Sequence, residues 1–335
     1  TYGVPVDLTR LMAEERGFSV DMAGFERLMQ QQRATAKAAA GGPAEEGGWE
    51  VVTEGPHSAF VGYDTLRLEA TCRSYRRGAD GRLTIVLDRT PFYAEGGGQV
   101  GDQGTLRGAA GRWKVLDTQR DGDRILHLCE GGPVPDARPL TAEVDAEQRS
   151  RTTLNHTATH LLHAALREVL GGHANQAGSV VHPDYLRFDY THFEKPSDAQ
   201  LEAIETRVNR VIRQNTPLRI YQSGFDEAVS AGVIALFGEK YGDTVRVVQV
   251  PGISQELCGG CHVRATGDIG ALTIVSEGSI ATGVRRIVAL TGPAAEAHRR
   301  QAQRLVEQLR QKLGVGEEAL VARLEQVLDE RRTLE

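Results

Sequence analysis

The sequence predicts an α+β protein: a small antiparallel β-barrel followed by a mixed α+β unit, with helical segments on either side. Three observations lead to this. Between about Trp49 and Val144, short apolar and β-branched runs alternate with glycine-marked turns. From Thr153 the apolar spacing becomes helical, and helices then mix with strands up to about Leu290. Before residue 49 and after Pro293 the texture is polar and helical. These shifts divide the chain into 1–48, 49–150, 151–292 and 293–335.

Residues 5–40 read as helical, with Asp7 or Thr9 and then Asp21 as caps and Gly17 as a stop. The tract from Gly41-Gly42-Pro43 to Gly47-Gly48 reads as a linker. In the barrel region the clearest strands are 83–87, 113–116 and 124–128, punctuated by Gly78, Gly81, Gly111, Gly122 and Gly131-Gly132. Residues 153–170 form a strong helix with Leu161, Leu162, Ala165, Leu166 and Val169 on one face, and Gly171-Gly172 stops it. Strands are expected around Val180 and at 186–190, then a helix capped by Ser197 and running to about Gln214. Further strands are expected at 245–250, 271–275 and 286–290. After Pro293, Leu305, Leu309 and Leu313, resumed by Leu320, Leu324 and Leu328, make a narrow apolar seam. Such a seam suits coiled-coil contact, self-association or a helical connector.

Composition narrows the class. The 335 residues are 40% hydrophobic and 25% charged, an ordinary globular mixture. No apolar run approaches the roughly 20 residues that span a bilayer. The first residues lack the basic start and apolar stretch of a signal peptide, and a start at Thr1 reads as an excised piece. A net charge of -6 argues against bulk attraction to nucleic acid, leaving local strips such as Arg149/Arg151 and Arg285/Arg286. Four cysteines in a chain of this length form no disulfide framework, which suits a reduced, cytoplasmic setting.

Chemistry concentrates in two short motifs. His156 and His160 share a helix face, their Cβ atoms about 6 Å apart, within reach of one metal ion. Thr157 stands where a zincin places Glu, which excludes that metalloprotease class. Cys258-Gly259-Gly260-Cys261-His262 supplies a thiol and an imidazole on a loop that can turn sharply. Together the motifs offer the donor types zinc prefers. Cys261 competes with Cys258 for the thiolate role, and Cys258 is favoured because the intervening residues let the loop wrap an ion. His163 lies about 10 Å along the axis from His156, which suits a supporting or surface place better than ligation. Residues 95–101 contain Gly-x-Gly-x-x-Gly, but turn chemistry follows instead of a helix, so neither a dinucleotide site nor a P-loop is expected. That turn would bring backbone close to an RNA terminus or a neighbouring domain. No Gly-x-Ser-x-Gly elbow occurs. Thr159, beside the metal face, and Gln176, on a loop after the helix stop, could face the metal; otherwise they are a helix-surface threonine and a loop glutamine.

At this point the residues match a family. Asn155 to His163 (NHTATHLLH) and Glu256 to Val263 (ELCGGCHV) closely resemble the editing domain of alanyl-tRNA synthetases. Pro91 to Gly104 (PFYAEGGGQVGDQG) is similar to the family's barrel motif, and Leu236 to Asp243 and Gly283 to Ile287 are further signatures. The residues from Thr1 to Thr9 resemble the end of the synthetase's tRNA-recognition helices. One departure is Cys261, where the family usually has Thr. The resemblance implies zinc held by His156, His160, Cys258 and His262, with Thr159 and Gln176 as catalytic-pocket residues. It implies contact with the acceptor end of tRNA(Ala), for which Arg285, Arg286, Gly97, Gly98 and Gln99 are candidates. It also implies an upstream aminoacylation domain, outside this sequence, that uses ATP and Mg2+, and a further C-terminal domain beyond the helical tail. The activity implied is hydrolysis of Ser-tRNA(Ala), and of Gly-tRNA(Ala), because an alanine pocket rejects serine by only ~10² and a second site must remove the error. The zinc would activate water or only shape the pocket. A free-standing editing protein of the same superfamily and a tRNA-binding module with structural zinc are the alternatives.

Overall fold

The computed structural model describes residues 48–235 and 241–334, with a few isolated positions before them. Most of the expected helical stretch at 5–40, the linker at 41–47 and residues 236–240 of one signature lie outside the described residues.

An eight-stranded antiparallel sheet comes first. Its strands are β1 (Glu50–Val51), β3 (Arg67–Ala70), β4 (Cys72–Arg77), β5 (Leu83–Leu87), β7 (Gly104–Gly108), β8 (Arg112–Asp121), β9 (Arg124–Glu130) and β10 (Leu140–Val144). Two short strands, β2 (Ala59–Phe60) and β6 (Arg89–Thr90), pair beside it. The spatial order is β1-β4-β5-β9-β8-β7-β10-β3. Because only Thr71 separates β3 from β4, the sheet must roll to bring its two ends together. The expected barrel nevertheless stays open. β1 takes the outer edge of β4 through Glu50↔Tyr75 and Val51↔Ser74, so no ladder joins β3 to β4. Inside the roll, Trp113, Phe92, Ile85, Leu106 and Val115 are buried together, the alternate-residue pattern of a one-sided sheet.

A long helix, α1 (Ala146–Leu170), follows directly. It starts well before residue 153: the Asp145 side chain accepts from the N–H groups of Glu147 and Gln148 and caps it, and Gly171 ends it at φ 112°. α1 and α2 (Asp198–Gln214) lie against a four-stranded sheet ordered β11-β12-β17-β16. These strands are β11 (Gln176–Val181), β12 (Leu186–Thr191), β16 (Leu272–Ala281) and β17 (Val284–Thr291). Ser197 and Gln200 form a reciprocal capping box on α2. Leu161, Leu162, Leu166, Phe188, Ile204, Val208 and Ile287 fill the space between layers.

A third sheet, β13 (Arg219–Gly224), β14 (Thr244–Val250) and β15 (Ser254–Leu257), carries the short helix α3 (Phe225–Ser230). Two further helices, α4 (Gly292–Leu313) and α5 (Leu320–Leu334), close the chain with Leu305, Leu309, Leu324 and Leu328 exposed. Among the described residues no helix is long and apolar enough to cross a membrane.

Candidate metal centre

α1 presents His156 and His160 one turn apart, their rings stacked with centroids 5.5 Å apart. β15 ends in the loop that carries Cys258 and His262. Arg246 of β14 pins that loop: its Nη1 donates to the carbonyls of Cys258 and Gly260 at 2.9 and 2.8 Å. The His262 ring centre thereby lies 4.4 Å from that of His156 and 5.1 Å from that of His160. Cys258 Sγ is 3.3 Å from His156 Nε2 and 3.2 Å from His262 Nε2. One donor atom from each of the four residues falls within 4.8 Å of the others, a group able to hold a metal ion.

The chemistry of the group fits a cation. His160 Nε2 is buried without a hydrogen-bond partner, as expected of a nitrogen reserved for a metal. Three imidazoles and one thiol are a donor set that zinc takes. Each imidazole is also fixed from behind through Nδ1. His156 Nδ1 lies 2.7 Å from Gln99 Oε1, His160 Nδ1 2.8 Å from Glu256 Oε2, and His262 Nδ1 3.2 Å from Thr157 Oγ1. Such partners set the tautomer, with Nδ1 donating and Nε2 facing the centre. Burial alone would raise the Cys258 thiol, yet the His156 and His262 rings hold it well below its ordinary value and favour the thiolate. Burial pulls His160 down, but the Glu256 carboxylate outweighs it and raises that ring well above its usual value. Burial lowers His262 to about 3, against the opposing pull of Cys258.

Cys261 is not in the group. It is buried, its N–H donates to Gln99 Oε1 at 2.8 Å, and burial pushes its thiol up to about 11. His163 is buried as well and reaches Glu256 Oε1 at 3.2 Å. Gly260 has a reason the sequence did not show: a Cβ there would stand 1.9 Å from His156 Cε1.

His156, His160 and Cys258 line a cavity of about 350 Å³. Thr159 and Gln176 line it too, with Tyr63, Tyr93 and Arg120 from the side of the large sheet. Gln176 begins β11 and is not a loop residue. Thr159 Oγ1 donates to Asn155 O at 2.8 Å, and Gln176 Nε2 donates to Ser179 Oγ at 3.2 Å. Both therefore keep acceptor oxygens for a ligand.

The residues expected at tRNA are placed differently. Arg285 is buried and forms two bonds with Glu277, at 2.6 and 2.9 Å. Arg286 holds Asp189 in the same way, at 2.6 and 2.7 Å. Bidentate carboxylates already occupy both forks, so these arginines tie strands together instead of offering a free basic strip. Arg149 is likewise buried against Asp102. Gln99 is fully buried and serves His156, not a surface. Gly97 lines the cavity. Gly98, at φ 82°, packs on Ser179, whose Oγ a Cβ would meet at 2.3 Å. Gln99, Glu256 and Thr157 were missed as supports of the centre. Only Glu256 left a signal, a carboxylate at an inward-facing position of a strand two residues before Cys258.

Comparison with known proteins bears on the same segments. Residues 1–148 match the model of class II (A) tRNA synthetases, and residues 245–288 match the threonyl and alanyl tRNA synthetase second additional domain. The alanine–tRNA ligase of Chlorobium phaeovibrioides is 46% identical over 354 residues, spanning 100% of this chain and 40% of its own length. That of Halorhodospira halophila is 47% identical over 349 residues, with the same two shares of 100% and 40%. The ligase of Salinibacter ruber is 50% identical over 307 residues, 89% of this chain and 32% of its own. The chain is thus similar to alanine–tRNA ligases along its whole length. It spans about 40% of the length of the first two of these ligases. The second-additional-domain match runs through β14, β15, the Cys258–His262 loop and into β17, so it includes two of the four donors.

Proposed function

We propose that this chain carries the editing site of an alanyl-tRNA synthetase, which hydrolyses the ester of Ser-tRNA(Ala), and of Gly-tRNA(Ala), in the cytoplasm. The observation that carries this reading is that three members of the four-donor group, His156, His160 and Cys258, line one cavity together with Thr159 and Gln176. Zinc is the metal assigned to the group; when bound, it supplies a Lewis acid that polarises an ester carbonyl or lowers the pKa of water towards 7.

The protein's own groups account for selection. The hydroxyl proton of Thr159 and one amide N–H of Gln176 are engaged inside the protein, which leaves Thr159 Oγ1 and Gln176 Oε1 as acceptors for a ligand. A seryl hydroxyl can donate to them. An alanyl methyl cannot, and it leaves a buried acceptor unpaired at ~1–3 kcal/mol. Glycine has no hydroxyl, and its removal rests on the family resemblance alone. Arg120 and the rim tyrosines face the side from which the acceptor end of tRNA(Ala) would enter. Attachment of alanine, with the ATP and Mg2+ it consumes, is assigned to another part of the synthetase. The exposed leucines of α4 and α5 are assigned to self-association or to a connector.

The experiment compares deacylation of Ser-tRNA(Ala) and Ala-tRNA(Ala) by this chain. Serine should be released faster, and replacing Thr159 or Gln176 should alter the preference while bound zinc stays. Equal rates, or serine release unchanged when His156 and His160 are both replaced, would sink the reading. A second reading, a tRNA-binding module with structural zinc, draws on the four protein donors, which form a closed site. Binding of tRNA with no deacylation would select it.

A further inference from the structure

We infer that Glu256 is the charge-balancing and positioning carboxylate of the metal centre, held in register by His163. The inference rests on the four donors being metal ligands and goes beyond them to the group that makes binding there favourable.

Glu256 is 2% exposed, and carboxylates are rarely so buried unless paired. Its partners are unusual. Oε2 meets His160 Nδ1 at 2.8 Å; Oε1 meets His163 Nδ1 at 3.2 Å and Ser254 Oγ at 2.9 Å. No arginine or lysine pairs with it among the described residues. With no arginine or lysine beside it, this carboxylate is compensated through the His160 ring, by a proton on that ring or by a cation on its far side. On the far edge of the His160 ring lies Nε2, buried and unpartnered, where the four donors converge. A divalent cation held there by one thiolate and three neutral imidazoles keeps one uncompensated positive charge. Glu256 is the buried anion that cancels it. The other two supports, the Gln99 amide and the Thr157 hydroxyl, are neutral, so this role falls to Glu256 alone. His163 and Ser254 occupy Oε1, which leaves Oε2 aimed at His160 and fixes that ring's tautomer.

The test is zinc affinity of the whole 335-residue chain, measured without tRNA by competition with a chromophoric chelator at fixed pH. Glu256→Gln keeps the size and an acceptor oxygen but removes the charge. It should weaken zinc binding by about 10- to 100-fold, with unchanged secondary structure. His163→Asn keeps the carboxylate and releases one oxygen, and should lose less, roughly threefold to tenfold. A folded Glu256→Gln variant within about twofold of the parent would overturn the inference. If that variant does not fold, His163→Asn decides, and parental affinity there overturns it equally. A merely structural Glu256 would lower thermal stability without moving the zinc affinity of the folded chain. The His156→Ala/His160→Ala double variant separates the two claims. If it still binds zinc like the parent, the ligand assignment has failed, whatever Glu256 does.

Discussion

Cys258 and Cys261 show what neighbours do to one side-chain type. The Cys258 sulfur stands among three imidazoles, whereas Cys261 is enclosed beside Gln99 and Arg149, and burial raises its thiol to about 11. Spacing alone could not separate them, because both lie close to His262 on a glycine-rich loop. His127 makes a different residue-scale point. It is fully buried in β9, with Nδ1 2.9 Å from Ile85 O and Nε2 2.7 Å from Thr90 Oγ1, and burial lowers its pKa to about 4. In the unfolded chain its pKa is about 6.5, so between pH 4 and 6.5 the unfolded state binds the extra proton. Stability from this residue is therefore complete above pH 6.5 and is lost as pH falls towards 4, by about 3 kcal/mol in all. His127→Gln should flatten this part of the pH–stability curve, read by chemical denaturation at pH 7.5 and pH 4.5. A variant curve parallel to the parent's would show that His127 takes up its proton alike in the folded and unfolded states, and would overturn the prediction.

Element by element, the sequence was most legible where local chemistry rules. The Ser197 cap of α2 and the apolar strands β5 and β14 follow from caps and periodicity. α1 begins before residue 153, and its first turns are polar and exposed or half-buried, only Arg149 and Thr152 being buried, so they carry no apolar period; the Asp145–Gln148 cap was the signal available. The Cys258–His262 loop yields an element-scale prediction. Gly259 has open space around its missing Cβ, while Gly260 touches the His156 ring. Gly260→Ala must push His156 aside, and it should reduce bound zinc to well below one equivalent. Gly259→Ala should keep parental zinc content. Metal analysis of the two purified variants checks this, and equal retention by both would mean that His156 can move without loss of the centre.

Across the whole molecule, the large sheet and the helical layers are joined by polar contacts that no local pattern announces. Gly98 O accepts from Val181 N at 2.7 Å, and Val100 N donates to Val181 O at 3.1 Å, docking the glycine-rich turn onto β11. Beneath it, Arg149 of α1 holds Asp102 and donates to Gly62 O at 2.7 Å and Pro91 O at 2.9 Å. Arg149→Ala would leave Asp102 buried and unpaired, at about 3–5 kcal/mol. Chemical denaturation should show that loss, and Asp102→Asn in the same chain should recover part of it. A loss under about 1 kcal/mol would mean that water or a shift of the sheet replaces the arginine.

The sequence by itself determined the parts whose physics is local. Residues four apart on a helix share a face, a thiol and an imidazole with glycines between them can turn inward, and caps and alternation mark helices and strands. That was enough to nominate His156, His160, Cys258 and His262 and to indicate the mixed fold. Only the tertiary structure decided what surrounds them. Gln99, Thr157 and Glu256 come from a turn, a helix and a strand, and they meet the imidazoles across separations such as the 57 residues between Gln99 and His156. Arg285 and Arg286 looked like a basic strip until β12 and β16 supplied Asp189 and Glu277 beside them. The sheet stayed open for a similar reason: the two-residue strand β1, too short to be read from propensity, occupies the edge that closure needs. Hydrogen bonds and ion pairs act over a few ångströms in space, and only the folded chain sets which residues come that close.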